Sequence, residues 1–332
     1  MDVLLGTGEI RLRDDLRAWA REELRQPAGA GTGFPPAFVE KLALRAQGSG
    51  LFSPAADSRE PDLGSALMLE GVASASAEAG FRLAEHVGLC MPFLLSCGRP
   101  EQQERYLPAL VAGRTPGRWL GVDAEAVESG PDGWLLTARG ARELDGSGPA
   151  TTVLVAAVKE GSSGRALDAF VFDGRDRVRP GRNESEVLLP DSCRMDVGCP
   201  GFPAVAAAVR SSSSVLLGCF LGAAAGLLES CYEAGRTRGA FETLILEARD
   251  IQVRLSETRV GFETLRWLHY RDLLRRKPGR PAEGSDRLLA ETLDFLSGML
   301  DLAGRLEAPD AGPALDARRA RALLTSLRNI LL

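Results

Sequence analysis

The stretch from residue 211 to residue 257 constrains the fold of this chain more than any other part of the sequence. Its first half is almost wholly apolar and rich in glycine and alanine, whereas its second half places apolar residues at helical spacing between charged ones. This pattern predicts two consecutive long helices, the first of them buried nearly all round. Between the two helices lies Arg238-Gly239-Ala240-Phe241, in which an arginine and an aromatic residue stand three positions apart.

Composition and charge narrow the class of protein. With 332 residues, 45% of them hydrophobic and 26% charged, the chain has the composition of an ordinary globular protein. A net charge of −5 gives no electrostatic reason to expect nucleic acid or an anionic membrane as a partner. The first residues lack the pattern of a secretory signal, and the longest weakly polar run, residues 215–228, is shorter than a bilayer needs. We therefore expect a cytoplasmic protein that does not bind membranes.

The cysteines and histidines show no spacing typical of a metal site. The chain has six cysteines and two histidines, scattered without a C-x-x-C pair. We therefore predict no metal site, and we expect the cysteines to be reduced and buried.

Periodicity along the chain separates three regions. Helical patterns cover residues 10–24, 35–47 and 67–97, strand-like segments alternate with turn residues over 119–202, and helical patterns return over 204–257, 264–276, 286–304 and 317–332. The sequence thus predicts a fold that is mainly α with a small β domain. The expected parts are an N-terminal α-helical domain (1–113), a reduced β domain (114–203) and a C-terminal four-helix-type bundle (204–332).

Three separated segments carry a resemblance to a known family. Residues 98–113, GRPEQQERYLPALVAG, resemble the motif G-(S/T)-x-E-Q-x-x-x-Y-L-P-x-L-x-x-G that closes the N-terminal domain of acyl-CoA dehydrogenases. Upstream, FPPAFVEKLALRAQGSGLF is similar to the F-P-x-E…G-L-F entry of that family, and the pair Arg238 and Phe241 resembles its R-x-x-F segment. Because all three agree in order and spacing, the chain is identified as a diverged, shortened member of the acyl-CoA dehydrogenase family.

The resemblance implies a fold, a cofactor and partners. It implies the acyl-CoA dehydrogenase-like arrangement of N-terminal helices, trimmed β-barrel and C-terminal bundle, with FAD as cofactor and an acyl thioester of CoA or of a carrier protein as ligand. It also implies a dimer or tetramer formed through the bundle, where small residues at Gly218, Gly222 and Gly226 let helices approach closely.

Three residues match positions that hold FAD in the family. The family's arginine binds the FAD pyrophosphate of the neighbouring subunit, which implies this role for Arg238, with Phe241 beside it. Gly304 matches one of the glycines at the adenosine end, but the glutamine of that set is missing. The alternative is that Arg238 caps a helix C-terminus and Phe241 is a core residue.

Both positions of the family's catalytic base lack a carboxylate. These dehydrogenases remove the α-proton of the thioester with a glutamate that the family carries in one of two places. One of them falls at about Leu327, and the other falls at Ser212 in a run of four serines. Leucine has no proton acceptor, and serine needs a base of its own at neutral pH.

The flavin-binding segments are reduced as well. The family's T-E-P-x-x-G-S-D segment has no counterpart after Leu120, where the chain is about a dozen residues short, and residues 142–146 replace its K-x-W-I-T segment. FAD is therefore implied either with altered contacts or as a lost cofactor. Remaining candidates for chemistry are Glu143, Asp145 and His86, with Asp123 and Glu125 as further loop carboxylates. The alternative for the carboxylates is solvated loop charge, and for His86 it is a satisfied, partly buried side chain.

Two hypotheses from different classes follow. In the first, the chain acts on or binds an acyl thioester but has diverged from FAD-dependent α,β-dehydrogenation, the CH–CH oxidoreductase reaction of its relatives. In the second, it is a non-catalytic subunit or scaffold that pairs with an active homologue, and Arg238 serves the FAD of the partner.

Overall fold

The computed structural model describes most of the chain. The described residues are 4–25, 37–46, 63–128, 133–137, 151–160, 164–173, 179–180, 186–196, 202–237, 239–240, 243–244, 248–275, 285–306, 320–321, 323–325 and 327–328.

Helices dominate these residues. The α-helices are α1 (Thr7–Arg25), α2 (Phe38–Arg45), α3 (Leu63–Ala75), α4 (Ala77–Leu83), α5 (Met91–Cys97), α6 (Pro100–Val111), α7 (Phe202–Ser211), α8 (Ser213–Thr237), α9 (Arg249–Arg275) and α10 (Ser285–Arg305), and a π-helix spans Ala84–Cys90. The strands are β1 (Gly117–Glu128), β2 (Trp134–Thr137), β3 (Thr151–Glu160), β4 (Gly164–Phe172), β5 (Arg179–Pro180), β6 (Glu186–Leu189), β7 (Gly239–Ala240) and β8 (Thr243–Leu244). The predicted fold class, mainly α with a small β part, is confirmed.

These elements form two compact units. The first is drawn from residues 1–38, 60–84 and 213–324, and it contains α1, α3, α4, α8, α9 and α10. The second is drawn from residues 39–59, 85–212 and 325–332, and it contains α5, α6, α7 and a six-stranded sheet. The division into three successive domains stays a prediction.

Helix α8 is the centre of the first unit, and its small residues let α3 approach closely. A Cβ atom at Gly222 would lie 2.5 Å from the Cβ of Ala73 and 2.6 Å from the carbonyl oxygen of Glu70. One turn earlier, Gly218 faces the backbone of Ala66. These glycines therefore allow close packing of α3 on α8 within one chain, and the self-association that the sequence analysis expected of the bundle stays a prediction.

Helix α8 is also long and apolar enough to cross a membrane by length and composition. However, 89% of its most apolar window is buried inside the chain. Burial of that kind is typical of the core helix of a folded domain.

Helix α9 corrects one prediction of helix boundaries. The sequence analysis ended the second of its two consecutive helices at residue 257 and began another helix at residue 264, whereas the structure has one continuous helix of 27 residues, Arg249–Arg275. Neither a proline nor a capping signal lies between residues 257 and 264. Gly261 lies inside the helix, where the ring of Phe295 packs against it. A Cβ atom at Gly261 would lie 2.9 Å from that ring.

The second unit is built around the sheet, whose strand order is β4-β3-β1-β2-β6-β5. The strand-like region predicted over 119–202 is confirmed, because β2, β3, β4, β5 and β6 all lie within it. Strand β1 runs antiparallel to β2 and parallel to β3, with an irregularity in register between Leu120 and Ala124. Trp119, Phe170 and Phe172 bury their side chains in this unit.

The motif of residues 98–113 has a structural explanation in the second unit. It forms α6, and the side-chain amide of Gln102 donates hydrogen bonds of 2.9 Å to the carbonyl oxygens of Ser192 and Arg194. The closing glycine, Gly113, has a φ of +67°, and a Cβ there would lie 2.5 Å from the carbonyl oxygen of Val39. Only glycine combines that backbone conformation with so close an approach.

Candidate functional site

The two positions to which the sequence analysis assigned the family's catalytic base are both buried in the structure. Leu327 lies in a helical segment and is 0% exposed. Ser212 occupies the turn between α7 and α8, is 2% exposed, and donates its backbone N–H to the carbonyl oxygen of Val209 at 3.1 Å. Neither side chain can accept the α-proton of a thioester at neutral pH, because a leucine has no acceptor and a serine needs its own base.

One carboxylate lies close to the serine run, and sequence reasoning missed it. The hydroxyl of Ser213 donates a hydrogen bond of 3.0 Å to Asp286 Oδ1, and both residues belong to the first unit. Asp286 stands in the first turn of α10, where the helix dipole favours a negative charge. A separation of 73 residues hides this contact from any local motif search.

His86 is completely buried in the π-helix of the second unit. Its Nδ1 accepts the backbone N–H of Gly117 at 2.7 Å, so the proton of the neutral ring lies on Nε2. Burial lowers the pKa of His86 to about 4, with a hydrogen bond to the backbone of Leu110 acting in the opposite direction. The side chain holds the start of β1, which is the satisfied role that the sequence analysis kept as its alternative.

We expect His86 to remain neutral well below pH 6. Because its folded pKa of about 4 lies below the ordinary 6.5, the unfolded chain binds more protons between these values. The stabilisation from the neutral ring is therefore fully present above about pH 6.5 and is lost as the pH falls through about 4. NMR titration of the two histidine rings would measure this, with His86→Gln assigning the signal; a pKa near 6.5 for His86 would contradict the geometry.

Cys90, on the same π-helix, does not look like a nucleophile. Its thiol contacts the carbonyl oxygen of Thr151 at 3.8 Å, and burial raises the pKa of the thiol to about 12. A thiol in that state is almost never a thiolate at neutral pH.

Two of the flavin-binding features discussed in the sequence analysis fall on described residues. Gly304 lies on the exposed side of α10, and a Cβ there would meet nothing within 4 Å, so the space beside it is open. Strand β1, which lies where the family has a hydroxyl-bearing segment, contains neither serine nor threonine and so offers no side-chain hydroxyl to a flavin. The FAD-binding role of Gly304 stays a prediction.

Several candidates lie outside the described residues. These are Arg238, Phe241, Glu143 and Asp145. Of Asp123 and Glu125 only the backbone, within β1, is described. Their roles stay predictions. Within the described residues, no group of three or more His, Cys, Asp or Glu side chains is placed to hold a metal ion.

The first unit contains a charged cleft that the sequence did not indicate. It has a volume of about 720 Å³ and is lined from α1, α3, α8 and α9 by five arginines and five carboxylates. Inside it, Arg266 Nε lies 2.9 Å from Glu70 Oε1, and the hydroxyl of Tyr270 donates to the other oxygen of Glu70. Elsewhere in the cleft, Arg259 lies 2.8 Å from Glu263. Because the charges compensate one another, we interpret the cleft as a structural ion-pair network rather than a ligand site.

Comparison with known proteins gives a family match for the N-terminal part of the chain and a fold for nearly all of it. Residues 8–114 match the family model "Acyl-CoA dehydrogenase, N-terminal domain". No protein with a curated function matches the sequence.

Solved structures resemble the chain over nearly its whole length. The FAD complex of PigA is 18% identical, with a TM-score of 0.61 over 100% of this chain and 97% of that one. Glutaryl-CoA dehydrogenase from Mycobacterium smegmatis is 16% identical, with a TM-score of 0.61 over 98% and 91%. The prolyl acyl carrier protein oxidase AnaB is 16% identical, with a TM-score of 0.58 over 98% and 94%. Identity this low establishes the fold alone, and residues 8–114 carry the match to the N-terminal domain of the acyl-CoA dehydrogenase family.

Proposed function

We propose that this chain binds an acyl thioester, carried by CoA or by a carrier protein, and does not by itself perform the α,β-dehydrogenation typical of its family. One observation carries the proposal: both base positions, Leu327 and Ser212, are buried and lack a carboxylate. Loss of a positioned general base typically slows a reaction by about 10²–10⁴-fold even when the rest of the site is intact.

The buried carboxylates of the sheet do not replace that base. Asp168 is held by Arg194 at 2.6 Å and accepts the backbone N–H of Ala169 at 2.9 Å. Asp173 lies 3.5 Å from Arg105. Carboxylates stabilised by a cation are poor proton acceptors, because proton uptake would break the ion pair.

The nature of the thioester is drawn from the structural relatives. AnaB is named as an oxidase of a prolyl acyl carrier protein, and glutaryl-CoA dehydrogenase is named for a CoA thioester. We therefore propose a thioester of either carrier as the ligand of this chain. FAD binding with altered contacts and a cytoplasmic location stay predictions.

The test is a combined binding and turnover assay. The purified chain is incubated with FAD, an electron acceptor and a panel of short and long acyl-CoA and acyl-carrier thioesters, beside an active family member as reference. We expect thioester binding in calorimetry, with enoyl product formed at least about 10²-fold more slowly than by the reference. Turnover at the ordinary rate, or no binding to any thioester, would refute the proposal.

Asp286 is a candidate for the group that removes the α-proton in any residual turnover. It is the described carboxylate in contact with the serine run, through Ser213. If slow product formation is seen, Asp286→Asn tests whether this carboxylate is the base, and Ser213→Ala serves as the matched control that removes the contact but keeps the charge. Loss of activity in Asp286→Asn alone would assign proton transfer to Asp286.

A second candidate function is a non-catalytic subunit that pairs with an active homologue. The observation in its favour is an exposed apolar surface on α9, formed by Val253, Val260, Trp267 and Leu274 and here called the α9 stripe. A colourless purified chain that binds no thioester, yet raises the flavin content or activity of a co-expressed homologue, would favour this function.

A further inference from the structure

The C-terminal end of α9 combines exposed apolar side chains with arginines. Trp267 and Leu274, two members of the α9 stripe, are 41% and 50% exposed. Arg271 and Arg275 lie beside them, because positions three, four or seven residues apart share one side of a helix. These four residues are here called the basic end of α9.

The basic end of α9 faces away from the core of the first unit. Leu255, Phe262 and Leu273 are buried on the other side of the helix, where α9 packs against α8 and α10. Trp267 and Leu274 are therefore an additional apolar surface and not a poorly buried part of the core.

Positive charge is concentrated at this end of α9. Arg275 is exposed in the last turn of the helix, and no carboxylate among the described residues forms an ion pair with it. Arg271 stacks on the ring of Trp267, with its guanidinium carbon 5.2 Å from the ring centre, and also lies 3.1 Å from Asp272. In the sequence, five of the ten residues 271–280 are basic and one is acidic, although the net charge of the chain is −5. The basic end of α9 is thus a local positive surface with an apolar centre.

The basic end of α9 lies at the same end of the first unit as Asp286. Helices α9 and α10 pack against each other and are joined by only nine residues, 276–284, so they run antiparallel. The ring of Phe295 in α10 lies against Gly261 in α9. Asp286 stands nine residues before Phe295, and Tyr270 stands nine residues after Gly261, so Asp286 and Tyr270 are at about the same level along the helix pair. A partner docked at the basic end of α9 is therefore close to the level of Asp286.

The composition of this surface distinguishes the two carriers of an acyl thioester. CoA presents a nucleotide, whose phosphates pair with arginines but leave a half-exposed side chain such as Leu274 without a partner. A carrier protein presents a folded surface in addition to its pantetheine arm, and protein interfaces combine an apolar centre with a polar rim. Arginines at the rim select an acidic partner and steer its approach. The basic end of α9 therefore fits an acidic carrier protein better than it fits CoA.

We propose that the basic end of α9 is the docking surface for an acidic carrier protein, which delivers the acyl group on its pantetheine arm to the end of the first unit that contains Asp286. The inference rests on the proposed function, because it names the carrier of the thioester that the chain binds. An interface built on one helix end is small and transient, so its affinity depends on few side chains and falls as salt screens the charges.

The first test measures docking by isothermal titration calorimetry with the full chain. The probes are acidic carrier proteins of the fatty-acid and peptide-synthesis types, each bearing a pantetheine arm without an acyl group. We expect binding that weakens as salt is raised and that Arg275→Glu weakens by on the order of 10-fold. The matched control is Arg305→Glu, which makes the same change in the last turn of α10, at the opposite end of the helix pair.

The second test examines the apolar part of the surface. Leu274→Ala is expected to weaken docking by on the order of 10-fold, whereas Leu44→Ala, which truncates a leucine of α2 that is 60% exposed, should not. Val253→Ala, at the far end of the α9 stripe and about 30 Å away, should also leave docking unchanged. That result separates carrier docking from pairing with a homologue along the whole stripe. Circular dichroism verifies that each variant is folded.

A parallel measurement separates this inference from the proposed function. The same acyl group is offered on CoA and on the carrier proteins, and the binding of each is measured. If no carrier protein docks, the inference is overturned, and binding of acyl-CoA would then leave the proposed function in place. Docking of a carrier protein without binding of any thioester would support the docking surface and refute the proposed function. Equal effects of Arg275→Glu and Arg305→Glu, or of Leu274→Ala and Leu44→Ala, would likewise overturn the inference.

Discussion

Replacement of Arg266 by methionine is expected to lower the free energy of unfolding by about 3–5 kcal/mol. Arg266 is 8% exposed, and its Nε lies 2.9 Å from Glu70 and 3.1 Å from the hydroxyl of Tyr270. Methionine fills most of the same volume, but it leaves the carboxylate of Glu70, which is only 2% exposed, without its guanidinium. A buried charge that has lost its partner is among the most costly changes that a single substitution produces.

Two comparisons separate this explanation from a simple loss of packing. The double variant Glu70→Met with Arg266→Met removes both charges and is expected to be more stable than Arg266→Met alone. Arg287→Met removes an exposed arginine, 87% accessible and 3.0 Å from Glu291 one turn away, and should change stability by no more than about 0.5 kcal/mol.

Urea denaturation followed by circular dichroism measures all three variants. The comparison is valid if the slope of unfolding free energy against urea is unchanged among them. If Arg266→Met proved as mild as Arg287→Met, Glu70 and Arg266 would not form the buried pair that the structure places in the cleft.

Much of the helical framework could be predicted from the sequence because local signals determine it. Apolar periodicity correctly located α1, α8 and α10, and β-rich composition between turn residues correctly indicated a strand region over 119–202. The break predicted within α9 was wrong: the helix continues through Gly261, which packs against the ring of Phe295. That contact joins residues far apart in the chain, so no local window contains it.

Less of the candidate site than of the helical framework could be predicted from the sequence. The absence of a carboxylate at Ser212 and Leu327 could be read from motif spacing, but their burial could not. Two contacts join charged groups to residues far apart in the chain: Ser213 with Asp286, and Glu70 with Arg266. Neither contact produces a periodic pattern in the sequence. His86 shows the same limit: its burial and its bond to Gly117 decide its protonation, and both arise from tertiary packing.

Substitution of a glycine in α8 is the second change expected to have a large effect on stability, because these glycines let α3 pack closely against α8. Gly222→Ala is expected to destabilise the chain by about 1–3 kcal/mol. The new Cβ would lie 2.5 Å from the Cβ of Ala73 and 2.6 Å from the carbonyl oxygen of Glu70, so α3 and α8 must move apart. Backbone atoms cannot turn aside as a flexible side chain can, and α3 also carries the buried carboxylate of Glu70.

The matched control is Gly298→Ala in α10. A Cβ at Gly298 meets nothing within 4 Å, so alanine should raise stability by up to about 1 kcal/mol through its higher helix propensity. The same substitution in two helices is thus expected to act with opposite signs, as measured by urea unfolding.

Sedimentation of Gly222→Ala then distinguishes two possible roles of Gly222, namely packing within one chain and contact with a second subunit. If Gly222 packs α8 against α3 of the same chain, the variant loses stability while the mass of its folded fraction equals that of the wild type at the same concentration. If the glycine instead met a second subunit, the mass of the folded fraction would fall and the unfolding free energy of a single chain would stay near the wild-type value. We expect the first outcome, because Gly222 already faces Ala73 and Glu70 within the chain, whereas the α9 stripe remains exposed.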